Sequence, residues 1–237
     1  MIPLRDRNPT RSTPVVTLSL IAACFAAFVL ELGISFEGGD RALEGFFDVW
    51  GAVPASIAAA LERGDYLSQP MLGMVTSIFL HGGWLHILGN MLFLWIFGNN
   101  VEDRLGRIRF LVFYLAGGIA AALSQVWIAP QSDVPLVGAS GAIAAALGVY
   151  FVLWPGARIL SLVFLGFFYQ LNEVPALIVL GYWFVLQLVS GATSLGAQTA
   201  ESGVAFFAHI GGFVVGMAVG LALRLTASAR SGARSYG

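Results

Sequence analysis

Apolar and polar positions alternate on a long scale along this chain. Six apolar stretches, at roughly 15–34, 75–98, 109–129, 139–154, 174–192 and 203–225, are separated by segments that hold almost all the charged residues. Each stretch is near the ~20 residues that a membrane-spanning helix needs, 139–154 being the shortest. Backbone in hydrocarbon must satisfy its own hydrogen bonds, so the pattern predicts helices rather than open strands. The first stretch stands where a signal peptide would, but its apolar run is too long and no A-x-A-like site follows it, so it reads as a retained span. The predicted organisation is an N-terminal segment over 1–14, a six-helix membrane domain over 15–225, and a basic, disordered tail over 226–237. A long outer loop, about 35–74, joins the first two helices. Within it, "PASIAAALERG" reads as short amphipathic structure on the membrane surface.

Composition agrees with that reading. The 237 residues are 58% hydrophobic and 11% charged, with a mean hydropathy of +0.83, whereas soluble domains carry about 25% charged residues. A net charge of −1 leaves no electrostatic footprint for nucleic acid. The single cysteine, Cys24, can form no internal disulfide. Lysine is absent. Arg5, Arg7 and Arg11, then Arg104, Arg107 and Arg109, then Arg158, and finally Arg224, Arg230 and Arg234 all fall on one side of a six-helix topology. The other side has only Arg41 and Arg63, among many carboxylates. The positive-inside rule then predicts that both termini are cytoplasmic, and a bacterial plasma membrane is the expected setting.

Polar side chains at membrane depth need an account, because lipid penalises them. "HGGWLHILGN" carries His81, His86 and Asn90, and "AHIGGFVVG" carries His209. His86 and Asn90 are four apart and share a helical face. His81 is out of phase with them and belongs to an entry turn with Gly82 and Gly83. Helices two, four and six run in the same direction and end at Arg104, Arg158 and Arg224. Counting back along each helix puts His86 about 27 Å above its arginine, Asn90 about 21 Å, Ser140 about 27 Å and His209 about 22 Å. Four polar groups from three helices therefore share about one helical turn of depth. No aspartate or glutamate is expected at that level. Gly212, Gly216 and Gly220 form a stripe below His209, and Gly141, Ala144, Ala145 and Gly148 offer a matching face below Ser140. Such small-xxx-small faces let helices approach closely, which would bring Ser140 near His209.

A serine next to a histidine base is the pattern of nucleophilic acyl transfer. His86, Asn90 and the Ser140 amide could donate to an oxyanion. Gly138 and Gly141 would allow close approach at the nucleophile. Singly, each element has a plainer use: Ser140 as a helix cap, His86 and Asn90 as interhelical glue, His209 as a buried histidine on a carbonyl. A three-histidine metal site would need His81 and His86 on one face and is set aside. No metal or cofactor is expected. With no carboxylate at hand a dyad rather than a triad is read, and "GASGA" lacks the last glycine of the G-x-S-x-G elbow.

At these residues the chain resembles the rhomboid family of intramembrane serine proteases. "HGGWLHILGNM", "VEDRLG", "GASG" and "AHIGGFVVG" are similar to the family's motifs, in order and on the corresponding helices. The resemblance implies an all-α, six-transmembrane-helix bundle. It implies Ser140 as nucleophile and His209 as general base, with an oxyanion hole made of His86, Asn90 and the Ser140 amide, supported by Gly138, Gly141 and Gly212. The implied reaction is peptide hydrolysis in membrane-protein substrates within the lipid bilayer, just inside the outer face. It also implies a lateral gate, for which "GYWFVLQL" and the loop "AQTAESGVAFF" are the candidates here. Two features depart from some relatives. The outer loop reads "PMLGMVT" where they carry a Trp-Arg pair, and Ala144 stands where they carry an aromatic that stacks on the histidine. Phe206 or Phe207 is then expected to orient His209. The competing function is a catalytically silent adaptor that binds transmembrane helices; a small carrier would need the inverted repeats that the sequence lacks.

Overall fold

A computed structural model describes residues 1–165, 168–196 and 205–234. Helix α1 runs Val15–Trp50, with a break at Gly39, whose φ of 69° suits glycine. Short helices follow: α2, Pro54–Glu62, opened by a proline in its first turn, and α3, Gln69–Thr76. The expected outer loop is thus mostly helical, and "PASIAAALERG" forms α2. After a 3₁₀ turn at Ser77–Phe79 and an irregular break come α4, Trp84–Phe93, a π-helical turn at Leu94–Gly98, and α5, Asn99–Leu105. The helices on either side of the break are bent by 79°. Helix α6 spans Arg107–Ile128, α7 Ser140–Leu153, α8 Ala176–Gly196 and α9 Phe206–Arg234.

Among the described residues, α1, α6, α8 and α9 are long and apolar enough to cross a membrane, and the bent α3–α5 unit makes a fifth candidate. The short α7 is the centre of the bundle. Every residue from Ala142 to Tyr150 is buried, so it is apolar all round, as a helix enclosed on every side must be. Helix α9 packs along it through small residues. A Cβ added at Gly212 would overlap the Gly141 carbonyl, and one at Gly216 the Ala145 carbonyl. In return, a Cβ at Gly148 would overlap the Phe213 carbonyl. Backbone-to-backbone contact of this kind replaces the hydrophobic driving force that lipid cannot supply.

The bundle is mostly helical, but the chain is not helical throughout. Strands β1, Ile2–Asp6, β2, Arg158–Leu165, and β3, Phe168–Pro175, form an antiparallel sheet in the order β1-β2-β3. The membrane bundle itself is all-α, as expected; the sheet stands beside it, built from the N-terminal segment and the connection between the fourth and fifth apolar stretches. "RILSLVFL" includes the strand formers Ile159, Val163 and Phe164, and its hairpin partner lies directly after it. The sheet is latched to the bundle: Tyr150 Oη and Asn100 Nδ2 donate to Asp6 Oδ2 at 2.8 and 2.6 Å. The tail also differs from expectation, since α9 continues through Arg234 with helical backbone. Most of the candidate cap loop, residues 197–204, lies outside the described residues, as do 235–237.

At the arginine-rich end, the "VEDRLG" turn is a clamp. The buried Glu102 carboxylate accepts the Val16 and Thr17 amides at 2.9 and 2.7 Å and the Thr17 hydroxyl at 2.8 Å. It thereby caps the first turn of α1 from another helix, where both the free N–H groups and the helix dipole favour an anion. Asp103 accepts the Ser12 amide and hydroxyl.

Candidate active site

Ser140 is the first residue of α7, where its amide has no intrahelical partner. The segment leading to it is held on both sides. Ala52 and Leu136 exchange backbone hydrogen bonds of 3.0 and 2.9 Å, and the Gly138 amide donates to the Ser77 carbonyl at 2.9 Å. His209 lies in the first turn of α9, at the head of the glycine stripe. The packing of α7 on α9 puts His209 Nε2 2.7 Å from Ser140 Oγ.

The other face of the imidazole is oriented by α8. His209 Nδ1 is 2.8 Å from Gln187 Oε1. An amide oxygen can only accept, so Nδ1 carries the proton and Nε2 presents its lone pair to the Ser140 hydroxyl. Trp183, one helical turn earlier on α8, lies with its ring centroid 5.9 Å from that of His209. The expectation that Phe206 or Phe207 fixes His209 is therefore corrected, and the space left by Ala144 is answered from α8. Both Phe206 and Phe207 lie instead near Gly191. Gln187, within "GYWFVLQL", is not among the residues expected at the site, although a lone amide in an apolar span is a signal that singles it out.

His86 approaches from α4. Its Nδ1 accepts the Gly82 amide at 3.4 Å, which leaves Nε2 as the protonated nitrogen. Gly138 makes room for it: a Cβ there would come within 2.7 Å of His86 Nε2, and the Gly138 φ of 129° excludes most side chains anyway. Asn90, a turn below His86 on the same face, is buried, and its Nδ2 has no hydrogen-bond partner among the described residues. A buried amide donor left open is costly unless something fills it. Gly141 and Gly212 face each other beneath the serine. The structure thus brings Ser140, His209, His86 and Asn90 together.

Two cavities meet here. One of about 590 Å³ extends from Ser140, His86 and His209 towards α6 and the Ser77 turn. Another of about 240 Å³ lies between α4, α7 and α8, lined by His86, Asn90, Ser140, Trp183 and His209. The dyad stands at their junction. One carboxylate does lie close by, contrary to the sequence expectation: Glu31 of α1 is buried against the backbone of His81. It bonds to neither member of the dyad.

A serine hydrogen-bonded to a histidine within an apolar helical bundle defines the class: an integral membrane protein with a buried serine–histidine pair. The family follows from sequence comparison. The model of the Rhomboid domain matches residues 68–226, and the chain belongs to the rhomboid family. It is 29% identical over 164 residues to rhomboid protein 1, mitochondrial, of Saccharomyces cerevisiae, covering 68% of this chain and 44% of that one. It is 32% identical over 149 residues to the rhomboid protease GluP of Bacillus subtilis, covering 62% and 26%. It is 36% identical over 90 residues to presenilin-associated rhomboid-like protein A, mitochondrial, of Danio rerio, covering 37% and 24%. The chain spans less than half the length of each of these relatives. Two are named mitochondrial, so kinship gives no support to a bacterial plasma membrane in particular; the long apolar helices make this an integral membrane protein.

Proposed function

We propose that the chain is a serine endopeptidase that hydrolyses peptide bonds in or near transmembrane segments of membrane proteins. The observation that carries this is the 2.7 Å contact from Ser140 Oγ to a His209 Nε2 left free by the Gln187 bond on Nδ1. In the proposed reaction, Nε2 takes the hydroxyl proton as Oγ attacks the scissile carbonyl carbon. The carbonyl oxygen becomes an oxyanion between His86 Nε2–H, Asn90 Nδ2–H and the Ser140 amide. His209 then gives its proton to the leaving amine, and the Ser140 ester remains. Water entering by the larger cavity loses a proton to Nε2 and attacks the ester; as the bond to Oγ breaks, Nε2 returns that proton to Oγ, releasing the acid and the free serine. Donors fixed in advance in a site of low dielectric are the main source of rate in such a scheme. Gln187 carries no charge, so it sets the tautomer of His209 without the electrostatic help that an aspartate gives an imidazolium.

The proposed topology has both termini in the cytoplasm, supported by the arginine distribution. The site then opens towards the outer face, and the cavity between α4 and α8 is the proposed route for a substrate strand from the lipid. Substrate segments that unwind easily, through Gly or Pro, are favoured because a helix hides its carbonyls from attack. An adaptor that only bound helices would have no use for the open Asn90 donor.

The test is cleavage of a fluorogenic transmembrane peptide by the purified chain in liposomes, with fluorophosphonate labelling alongside. Wild type should cleave and label, and Ser140→Ala and His209→Ala should do neither. Cleavage or labelling unchanged by Ser140→Ala would reject the proposal.

A further inference from the structure

Glu31 is a buried carboxylate that the mechanism leaves unused. It projects from α1, is only 1% exposed, and its two carboxylate oxygens lie 3.0 and 3.3 Å from the backbone nitrogen of His81. A carboxylate shut away with so little compensation is costly, and an apolar side chain of similar size would serve the core better. What it holds is the irregular strand between the Ser77–Phe79 turn and α4. That strand has no helical ladder to fix it. It includes Gly83, whose φ of 152° permits the sharp re-entry into α4.

The tether leads on to the candidate oxyanion donor. His81 Nδ1 lies 3.1 Å from the Phe79 carbonyl, so Nδ1 bears the proton. The His81 ring then packs against His86, with centroids 5.2 Å apart and planes at 66°. The next amide, Gly82, donates to His86 Nδ1. The placement of the Gly82 N–H depends on the His81 peptide, and that peptide is what Glu31 grips. We infer that Glu31 is a positioning residue: by fixing the His81 peptide it aims the Gly82 amide at His86 Nδ1, and so keeps the His86 Nε2 proton pointed at the oxyanion. The inference rests on the proposed proteolytic reading and deepens it.

Removing the tether lets the strand and the His86 ring turn, so turnover falls while substrate binding in the cavities is kept. The experiment is a double-mutant cycle on the fluorogenic peptide in liposomes, with Glu31→Met and Glu31→Gln each made alone and with His86→Ala. Glu31→Met should lower kcat about tenfold, less than the ~10²–10³ for losing an oxyanion donor outright, with KM within twofold. Glu31→Gln keeps an acceptor oxygen and should lose about threefold, in line with a weaker neutral bond. Both losses should vanish in the His86→Ala background, because the tether acts through His86. An unchanged kcat in folded Glu31→Met, or the same loss in both backgrounds, overturns the inference. If Glu31→Met does not fold, Glu31→Gln decides: an unchanged kcat, or a loss that persists with His86→Ala, overturns it equally. Wild-type cleavage lost in Ser140→Ala keeps the proteolytic reading standing whichever way Glu31 falls; cleavage that survives Ser140→Ala removes that reading instead.

Discussion

Gly138→Ala probes the site with one methyl group. Two costs arise. The backbone at this position has a φ of 129°, a region that costs an L-residue on the order of 1–3 kcal/mol. The new Cβ would also stand 2.7 Å from His86 Nε2 and 2.9 Å from its Cε1, where ordinary contact begins at 3.4 Å. The backbone at Gly138 does not yield freely. The Gly138 amide is bonded to the Ser77 carbonyl, and the Leu136 backbone is paired with Ala52. The His86 ring is therefore the part that moves, by a large fraction of an ångström. A misplacement of about 1 Å in a catalytic group can cost about 10²-fold in rate, and full loss of one oxyanion donor costs about 10²–10³-fold. The expected result is a kcat lowered by about 10²-fold, with KM little changed and a modest fall in thermal unfolding temperature, measured in the same liposomes. Gly33→Ala is the control, since a Cβ there meets nothing within 4 Å. Gly138→Ala cleaving within about fivefold of wild type would refute the claim that His86 works from this position.

Gln187→Leu removes the acceptor on His209 Nδ1 and lets the ring take the wrong tautomer; kcat should fall at least about tenfold, while Gln187→Glu, which keeps an acceptor, should retain much of it, as steady-state kinetics will show. Glu102→Ala leaves the Val16 amide and both Thr17 donors without their shared acceptor, and should cost about 2–4 kcal/mol in chemical unfolding, with cleavage per folded molecule unchanged. Asp6 gives a pH dependence at the sheet latch. Burial lifts its carboxyl above the usual 3.8, against the smaller opposing effects of bonds from the Asn8 backbone and Tyr150. A raised folded value means that the folded state binds the proton more tightly than the unfolded chain. The stability that Asp6 contributes is thus fully present below 3.8 and declines as pH rises through the folded value. Unfolding temperature measured against pH should show that decline in wild type and lose it in Asp6→Asn.

What could be read in advance divides along a physical line. The helices were legible because hydropathy over some twenty residues is a dense signal. The meeting of Ser140 and His209 could be anticipated too, since depth follows from helical rise and contact from the glycine stripe. The strands were not, because a mostly apolar run of eight residues such as Arg158–Leu165 registers as part of a span or a loop on a hydropathy scale. Strand β1 was further hidden by pairing with residues some 150 positions away. Glu31 escaped for a different reason. A charge near the end of an apolar run looks like the end of a span, and α1 instead continues to Trp50. Gln187 was hidden because a lone amide in an otherwise apolar helix does not reveal from sequence which helix it faces; its partner, His209, stands on α9.

The site is built from parts of unequal stiffness. Ser140 and His209 stand on α7 and α9, whose backbones touch along Gly141, Ala145, Gly212 and Gly216. Close-packed backbone has little room to adjust, so packing holds the Ser140–His209 distance while Gln187 orients the imidazole. The candidate oxyanion donors stand on α4, which is cut off from α3 by a 79° bend and runs into a π-helical turn at Leu94–Gly98. Neither feature is the cheapest way to cross a membrane, and π-turns recur where function needs a local departure from helical register. The polar tethers collect on this looser side: Glu31 on the His81 backbone, the Gly82 amide on His86, and Glu102 joining α5 to the start of α1. A broken span must gain from its own polar bonds the rigidity that the α7–α9 pair obtains by packing. Changes in the tethers beside the site, Glu31 and the Gly82–His86 bond, should therefore act on oxyanion stabilisation and turnover, a change at Glu102 on stability alone, and changes in the glycine faces on whether the bundle forms at all.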